Sequence, residues 1–303
     1  MKRTNLKFLS MLVCVPLLAA ILPACSGEPT PTTPYKHVVV IGVDGAGAFF
    51  RDAQTPNLDK IFAKVPKLKF FAERVPTERL KALPDTNEDG TPRGLHLGSY
   101  IGNMRNLLGV EEFSYLLADD EDLYREIVDT LCGLAYQVAE GMLASGAKFD
   151  YAHFWEDICF KNGPLISPEL FDKLCGKHYK KRCDLCHRYG IDVITLDCDG
   201  VVEQLLPTWF ENGVNTMFPI EVGVWGDQFE PARKKFGNGM LGVGGMDKTA
   251  FLRDKAAVDV EIERMKRLAS MGGFIPCPDH RLMPGTQFEL VQYYAEEIKK
   301  IRI

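Results

Sequence analysis

From residue 94 onward, short apolar runs alternate with longer stretches whose apolar positions recur every three or four residues. The runs cover 94–100, 151–155, 193–196, 216–220, 239–243 and 273–276, and most lead into polar or acidic positions. That alternation is the mark of successive βα units with parallel strands. The longest helical stretch, 120–145, carries Leu123, Ile127, Leu131, Leu134 and Val138 at helical spacing. Further helices are predicted over 168–189 and 257–271. Six strands of this kind predict an α/β fold, a (β/α)8 TIM-barrel-like architecture left incomplete, since a closed barrel of this class has eight strands and about 250 residues.

The chain ahead of the barrel has a different pattern. Lys2, Arg3 and Lys7 precede an apolar run over 8–22, and Leu22, Pro23, Ala24 and Cys25 follow. This reads as an export signal over 1–25, too short to remain as a membrane-spanning helix. The small residue before Cys25 resembles a bacterial lipoprotein cleavage site, which implies lipidation of Cys25 and a membrane-anchored, periplasmic address. Residues 28–34, rich in Pro and Thr, form a tether. The apolar run from His37 ends in Asp44 and Gly45, and 55–60 opens a helix. Residues 38–63 resemble the start of the alkaline phosphatase, sulfatase and nucleotide pyrophosphatase superfamily, in which the matching aspartate binds a metal. No nucleophile or Asp/His set of that family follows, so the favoured reading makes Asp44 a turn cap. Residues 65–92 form a junction dense in turn residues, and the barrel is expected to occupy 93–303.

The chain has 303 residues, 46% hydrophobic and 25% charged, enough for one large barrel or two ordinary domains. A net charge of -5 with dispersed Lys and Arg offers no basic field, which excludes nucleic acid as the expected partner. Beyond Cys14 and Cys25 there are seven cysteines, an odd number, at positions that read mostly as helix or strand interior. That usage suits a reducing compartment, so the two ends of the chain point to different addresses. Cys183, Cys186 and His187 match the spacing of covalent haem attachment. They lie inside an apparent helix without a haem-sized domain, so buried helix cysteines and no haem are expected.

The residues that follow the strands carry the candidate chemistry: Glu156 and Asp157, Asp197 and Asp199, Glu221, Asp247 and Lys248, Asp279 and His280. In a parallel barrel, residues at the carboxyl ends of the strands converge on one mouth. Any one carboxylate could cap the next helix, but five strand ends in succession point to a functional cluster. His280, Glu156, Asp197, Asp199 and Glu221 are therefore the candidate catalytic residues, with Asp247 and Lys248 as candidate cofactor-binding residues beside the glycine run at 242–245.

These segments carry a resemblance. Residues 153–157, 161–169, 197–200, 218–222, 242–248 and 278–284 are similar, in order and spacing, to the uroporphyrinogen decarboxylase superfamily, and closest to its branch near the corrinoid-dependent methyltransferases. His280 falls where the decarboxylases place a histidine at the active-site cleft. In the zinc methyltransferases a His-x-Cys motif and a later Cys hold the metal, and Asp197, Asp199 and His280 stand on those positions. Two carboxylates and an imidazole make a harder site than thiolates. Two readings stand: a divalent ion, zinc or harder, held by Asp197, Asp199, His280 and Glu156, or a metal-free site whose crowded carboxylates share protons.

The resemblance implies a lyase or methyltransferase-type enzyme acting on a tetrapyrrole, a corrinoid methyl group or a small methyl donor. Its partner would be a small molecule or a corrinoid protein, and a homodimer is admitted. The arginines that hold a polyacidic tetrapyrrole come, in the family, from units absent here, leaving Arg93, Arg105 and Lys161 as candidate anion partners. The alternatives are a membrane-tethered phosphodiesterase-like hydrolase and a catalytically dead fusion.

Overall fold

The computed structural model describes residues 80–87, 89–223 and 229–302. The export-type segment, the tether and the Asp44 run lie outside the described residues. Six parallel strands form one sheet: β1 (Gly94–Gly98), β2 (Tyr151–Trp155), β3 (Ile194–Asp197), β4 (Thr216–Ile220), β5 (Leu241–Met246) and β6 (Phe274–Pro278). Each strand pairs with the next in sequence, from β1 at one edge to β6 at the other. A doubly wound sheet reverses its strand order partway, whereas a barrel winds steadily in one direction. The order is that of six consecutive units of a TIM-barrel-like fold.

Register explains the alternation within the strands. Leu95, Ala152 and Ile194 stand side by side, as do Phe154, Leu196, Met217, Gly242 and Phe274. These face the helices and, glycine aside, are buried. The opposite face carries the row His96, His153, Thr195, Thr216 and Leu241, then Trp155, Asp197 and Phe218 one step further toward the carboxyl ends. A strand has a side-chain period of two, so polar residues in these runs all fall on the face that a barrel encloses.

The helices have identifiable stops and starts. Between β1 and β2 lie α1 (Ile101–Leu108), α2 (Val110–Asp119) and α3 (Glu121–Ala144). Asp120 caps α3 by accepting from Leu123 N at 3.0 Å, and Tyr124, Val128, Cys132, Ala139 and Leu143 form its buried stripe. The connection from β2 to β3 begins with a turn capped by Ser167, with Pro168 in its first positions, widens over Asp172–Gly176, and continues as α4 (Lys177–Arg188). The later connections are α5 (Leu206–Glu211), α6 (Phe229–Phe236), α7 (Lys255–Ser270, capped by Asp254) and, after β6, α8 (Phe288–Ile298). Cys183 and Cys186 are buried on α4, and the seven cysteines of the described residues are all free. Among the described residues no helix is long and apolar enough to cross a membrane.

Candidate functional site

The strand-end residues separate into two groups. The first holds the mouth together. Glu156, fully buried, follows β2, and its two oxygens accept from Ser99 Oγ (3.1 Å), Tyr100 N (3.1 Å), Gly102 N (2.9 Å) and Tyr179 Oη (2.6 Å). Burial pushes its carboxyl up, while those four donors favour the ionised form. Gly102 is glycine because a Cβ there would stand 2.1 Å from the Glu156 carbonyl oxygen. Glu156, expected as a catalytic and metal-ligating residue, has its oxygens committed to the β1–α1 turn and to α4.

Asp279 does the same on the other side of the mouth. It is fully buried, one oxygen accepting from Val222 N and Gly223 N at 3.0 Å each, the other from Lys248 N at 3.2 Å. Glu221 accepts from Gly200 N at 2.9 Å, which ties the end of β3 to that of β4. Lys248 Nζ stands 3.6 Å from Asp279 Oδ1 and 4.0 Å from Glu221 Oε1. Asp247 caps the following turn, accepting from Thr249 N (2.8 Å) and Oγ1 (2.6 Å), and lies 3.6 Å from Arg253. Asp247 and Lys248, expected as cofactor-binding residues, are thus engaged with the protein itself.

The second group faces the mouth. Asp197, at the end of β3, is about a quarter exposed (27%), and its carboxyl is pushed up to about 7, first by burial and then by the charges of Asp199 and Asp157. His280 and Arg281 oppose that rise. His280 Nε2 lies 3.1 Å from Asp199 Oδ2, so Asp197, Asp199 and His280 share one rim, as the strand ends predict. Asp157 has the left-handed φ of 51°, an uncommon conformation for a residue with a Cβ. Arg105 holds it there through the Asp157 carbonyl and, at 3.5 Å, its carboxylate.

Two histidines complete this group. His153 Nε2 stands 4.0 Å from Asp197 Oδ2, and its Nδ1 lies 2.6 Å from Thr195 Oγ1. Burial, and then the neighbouring His96, pull the His153 imidazole down to about 4. The imidazole is neutral above that and the Asp197 carboxyl neutral below about 7, so the 4.0 Å contact is one of two neutral groups over that window and no ion pair. His96 packs edge-on to His153 with ring centroids 6.1 Å apart. Strand-end reasoning missed His96 and His153 because both lie inside their strands. Their signal was a polar residue two positions from a strand end in an otherwise apolar run.

Among the described residues no group of three or more His, Cys, Asp and Glu is arranged to hold a metal ion. Of the four residues expected to hold an ion, Glu156 has its oxygens engaged with Ser99, Tyr100, Gly102 and Tyr179. Two of the three candidate anion partners are also engaged: Arg93 donates to Pro84 O, Lys148 O and Asn87 Oδ1, and Arg105 to Asp157.

A parallel sheet wound in sequential order, with its acids and histidines gathered at the carboxyl ends, defines the TIM-barrel-like class, with six strands among the described residues. Within that class the chain belongs to the uroporphyrinogen decarboxylase (URO-D) family, whose model matches residues 77–301. Among solved structures it is similar to a methyltransferase from Methanosarcina mazei, with a TM-score of 0.54 and 17% identity. The likeness covers 74% of this chain and 63% of that one, and at that identity it concerns the fold. A Xaa-Pro dipeptidase with bound methionine also aligns, at 15% identity over 56% of this chain and 45% of that one, but its TM-score of 0.32 carries no argument. No curated protein matches the chain.

Proposed function

We propose that the protein is a methyl-transfer enzyme of the URO-D family acting on a small neutral methyl donor, with Asp197 as the acid. The observation that carries this reading is a half-buried carboxyl, raised to about 7, at the carboxyl end of an interior strand. When a methyl group leaves an oxygen or nitrogen for a nucleophile, the carbon–heteroatom bond breaks and the heteroatom keeps the electron pair. A carboxylic acid that still holds its proton near neutrality can neutralise that leaving group, and general acids work best with a pKa near the operating pH. The methyl acceptor is proposed to be the corrinoid of a separate protein, by analogy with the family branch that the sequence resembles.

A tetrapyrrole polyacid is the weaker substrate. Asp157, Asp199 and Glu221 collect around the mouth, while Arg105 and Lys248 are engaged with carboxylates of the protein. Such a site repels a polyanion. Export and lipid attachment at Cys25 are proposed on the N-terminal sequence alone. The experiment is to incubate the full chain with cobalamin reduced to cob(I)alamin and a panel of methyl ethers and methylamines, following methylcobalamin by absorbance. The expected result is methyl transfer that weakens as pH rises through about 7 and is lost in Asp197→Asn. Equal transfer by Asp197→Asn, or decarboxylation of a porphyrinogen in its place, overturns the reading.

A further inference from the structure

His153 sits 4.0 Å from the proposed acid, and which of its nitrogens carries the proton decides what it presents there. Thr195 lies beside it on β3. The Thr195 hydroxyl has one proton to give and two neighbours: Ala152 O at 3.2 Å and His153 Nδ1 at 2.6 Å. A carbonyl oxygen can only accept, so donation to Ala152 O leaves the hydroxyl as the acceptor toward Nδ1. At 2.6 Å two facing lone pairs would repel, so the ring must then place its proton on Nδ1. In that arrangement both contacts of the hydroxyl are satisfied, and Nε2 is left with a lone pair turned toward Asp197. The opposite arrangement, with Thr195 donating to Nδ1, puts oxygen lone pairs against the Ala152 carbonyl and an N–H toward Asp197.

Two atoms 4.0 Å apart are too distant to hydrogen-bond to each other, yet one oxygen or nitrogen fits between them. At ordinary hydrogen-bond lengths of roughly 2.8 Å to each side, the angle at that atom is about 90°. We infer that Thr195 is a positioning residue: it fixes His153 as the Nδ1–H form, so that the Nε2 lone pair and the Asp197 carboxyl grip one heteroatom of the substrate from two sides. The atom held there accepts from Asp197 and donates to His153, so the couple recognises an oxygen or nitrogen that carries both a lone pair and a hydrogen of its own, such as the nitrogen of a neutral methylamine before Asp197 gives up its proton. The inference rests on the reading of Asp197 as the acid, and it adds a residue remote from substrate that selects how the acid is used.

The test separates the two. Full-length chain labelled with 15N-histidine, with His153 assigned from the spectrum of His153→Gln, is followed by multiple-bond 1H–15N correlation between about pH 5 and 8. The expected spectrum shows His153 protonated at Nδ1 and bare at Nε2. Thr195→Ser keeps that signature, and Thr195→Val, which has the same shape without the hydroxyl, loses it. A proton on Nε2 in the parent protein, or an unchanged signature in Thr195→Val, overturns the inference. In the cob(I)alamin assay, Thr195→Val is expected to lower kcat about tenfold, the worth of one misplaced hydrogen bond, with KM little changed and Thr195→Ser close to the parent. A kcat unaffected by Thr195→Val also overturns it. Since the spectra involve no substrate, an absence of methyl transfer beside the Nδ1–H signature would refute the methyl-transfer reading and not the tautomer.

Discussion

His280 Nε2 lies 3.1 Å from Asp199 Oδ2, joining the end of β6 to the end of β3 across the mouth. Both residues act on Asp197, in opposite senses: the Asp199 charge pushes its carboxyl up and His280 pulls it down. Asp199→Asn is therefore expected to lower the Asp197 midpoint from about 7 toward the ordinary carboxylate range, and His280→Ala to raise it further. A 13C titration of the Asp197 side-chain carboxyl checks both directions. Identical midpoints in the two variants would mean that the cluster is not electrostatically coupled.

Asp197 also makes stability depend on pH. The folded chain holds its proton up to about 7, an unfolded chain only to about 3.9. Between those values the folded state binds more protons, so this residue's contribution is fully present at low pH and is lost as pH rises through about 7. Asp197→Asn keeps the shape without the charge. It is expected to match the parent near pH 4 and to exceed it at pH 8, by at most about 4 kcal/mol. Urea unfolding at the two pH values measures the difference.

Glu156→Ala removes the acceptor of two backbone N–H groups and two hydroxyls from a fully buried position. Leaving those donors unpaired costs about 3 kcal/mol, or a fall of roughly 10 °C in Tm for a domain of this size. The Asp197 midpoint should stay near 7. Unchanged thermal stability with a displaced Asp197 titration would return Glu156 to the site.

The cysteines differ in access. Cys132, Cys159, Cys175, Cys183, Cys186 and Cys198 are buried, and Cys277 is half-buried. Burial, and then the charge of Asp279, push the Cys277 thiol up to about 11, so even this thiol reacts slowly at neutrality. Peptide mapping after brief alkylation of the native chain should find Cys277 modified first of these seven. Early labelling of Cys183 or Cys186 would show that α4 opens.

Much of this was legible in the sequence. The six strands fall within a few residues of the runs read at 94–100, 151–155, 193–196, 216–220, 239–243 and 273–276, because apolar runs bounded by turn residues and separated by capped amphipathic helices leave little latitude. The placement of Asp197, Asp199 and His280 on one rim follows from strand direction alone. The division of labour among the carboxylates does not. Whether Glu156 faces the mouth or the β1–α1 turn depends on donors at Ser99, Tyr100, Gly102 and Tyr179, which are brought together only by the packed fold. His153 was hidden for a related reason, since its role comes from being beside Thr195 on a neighbouring strand.

The commitment of Glu156, Glu221 and Asp279 to backbone N–H groups has a consequence for the kind of molecule the mouth can admit. Where a parallel strand turns into the next segment, main-chain N–H groups gather, and many α/β proteins leave them free to cradle a phosphate or carboxylate group. Here the N–H groups of Tyr100, Gly102, Gly200, Val222, Gly223 and Lys248 already bind internal carboxylates. The chain carries its own anions in the seats that a guest anion would take. A phosphorylated ligand would have to evict a fully buried side chain to bind at Glu156 or Asp279, because the contacts that keep the strand ends together already fill those seats.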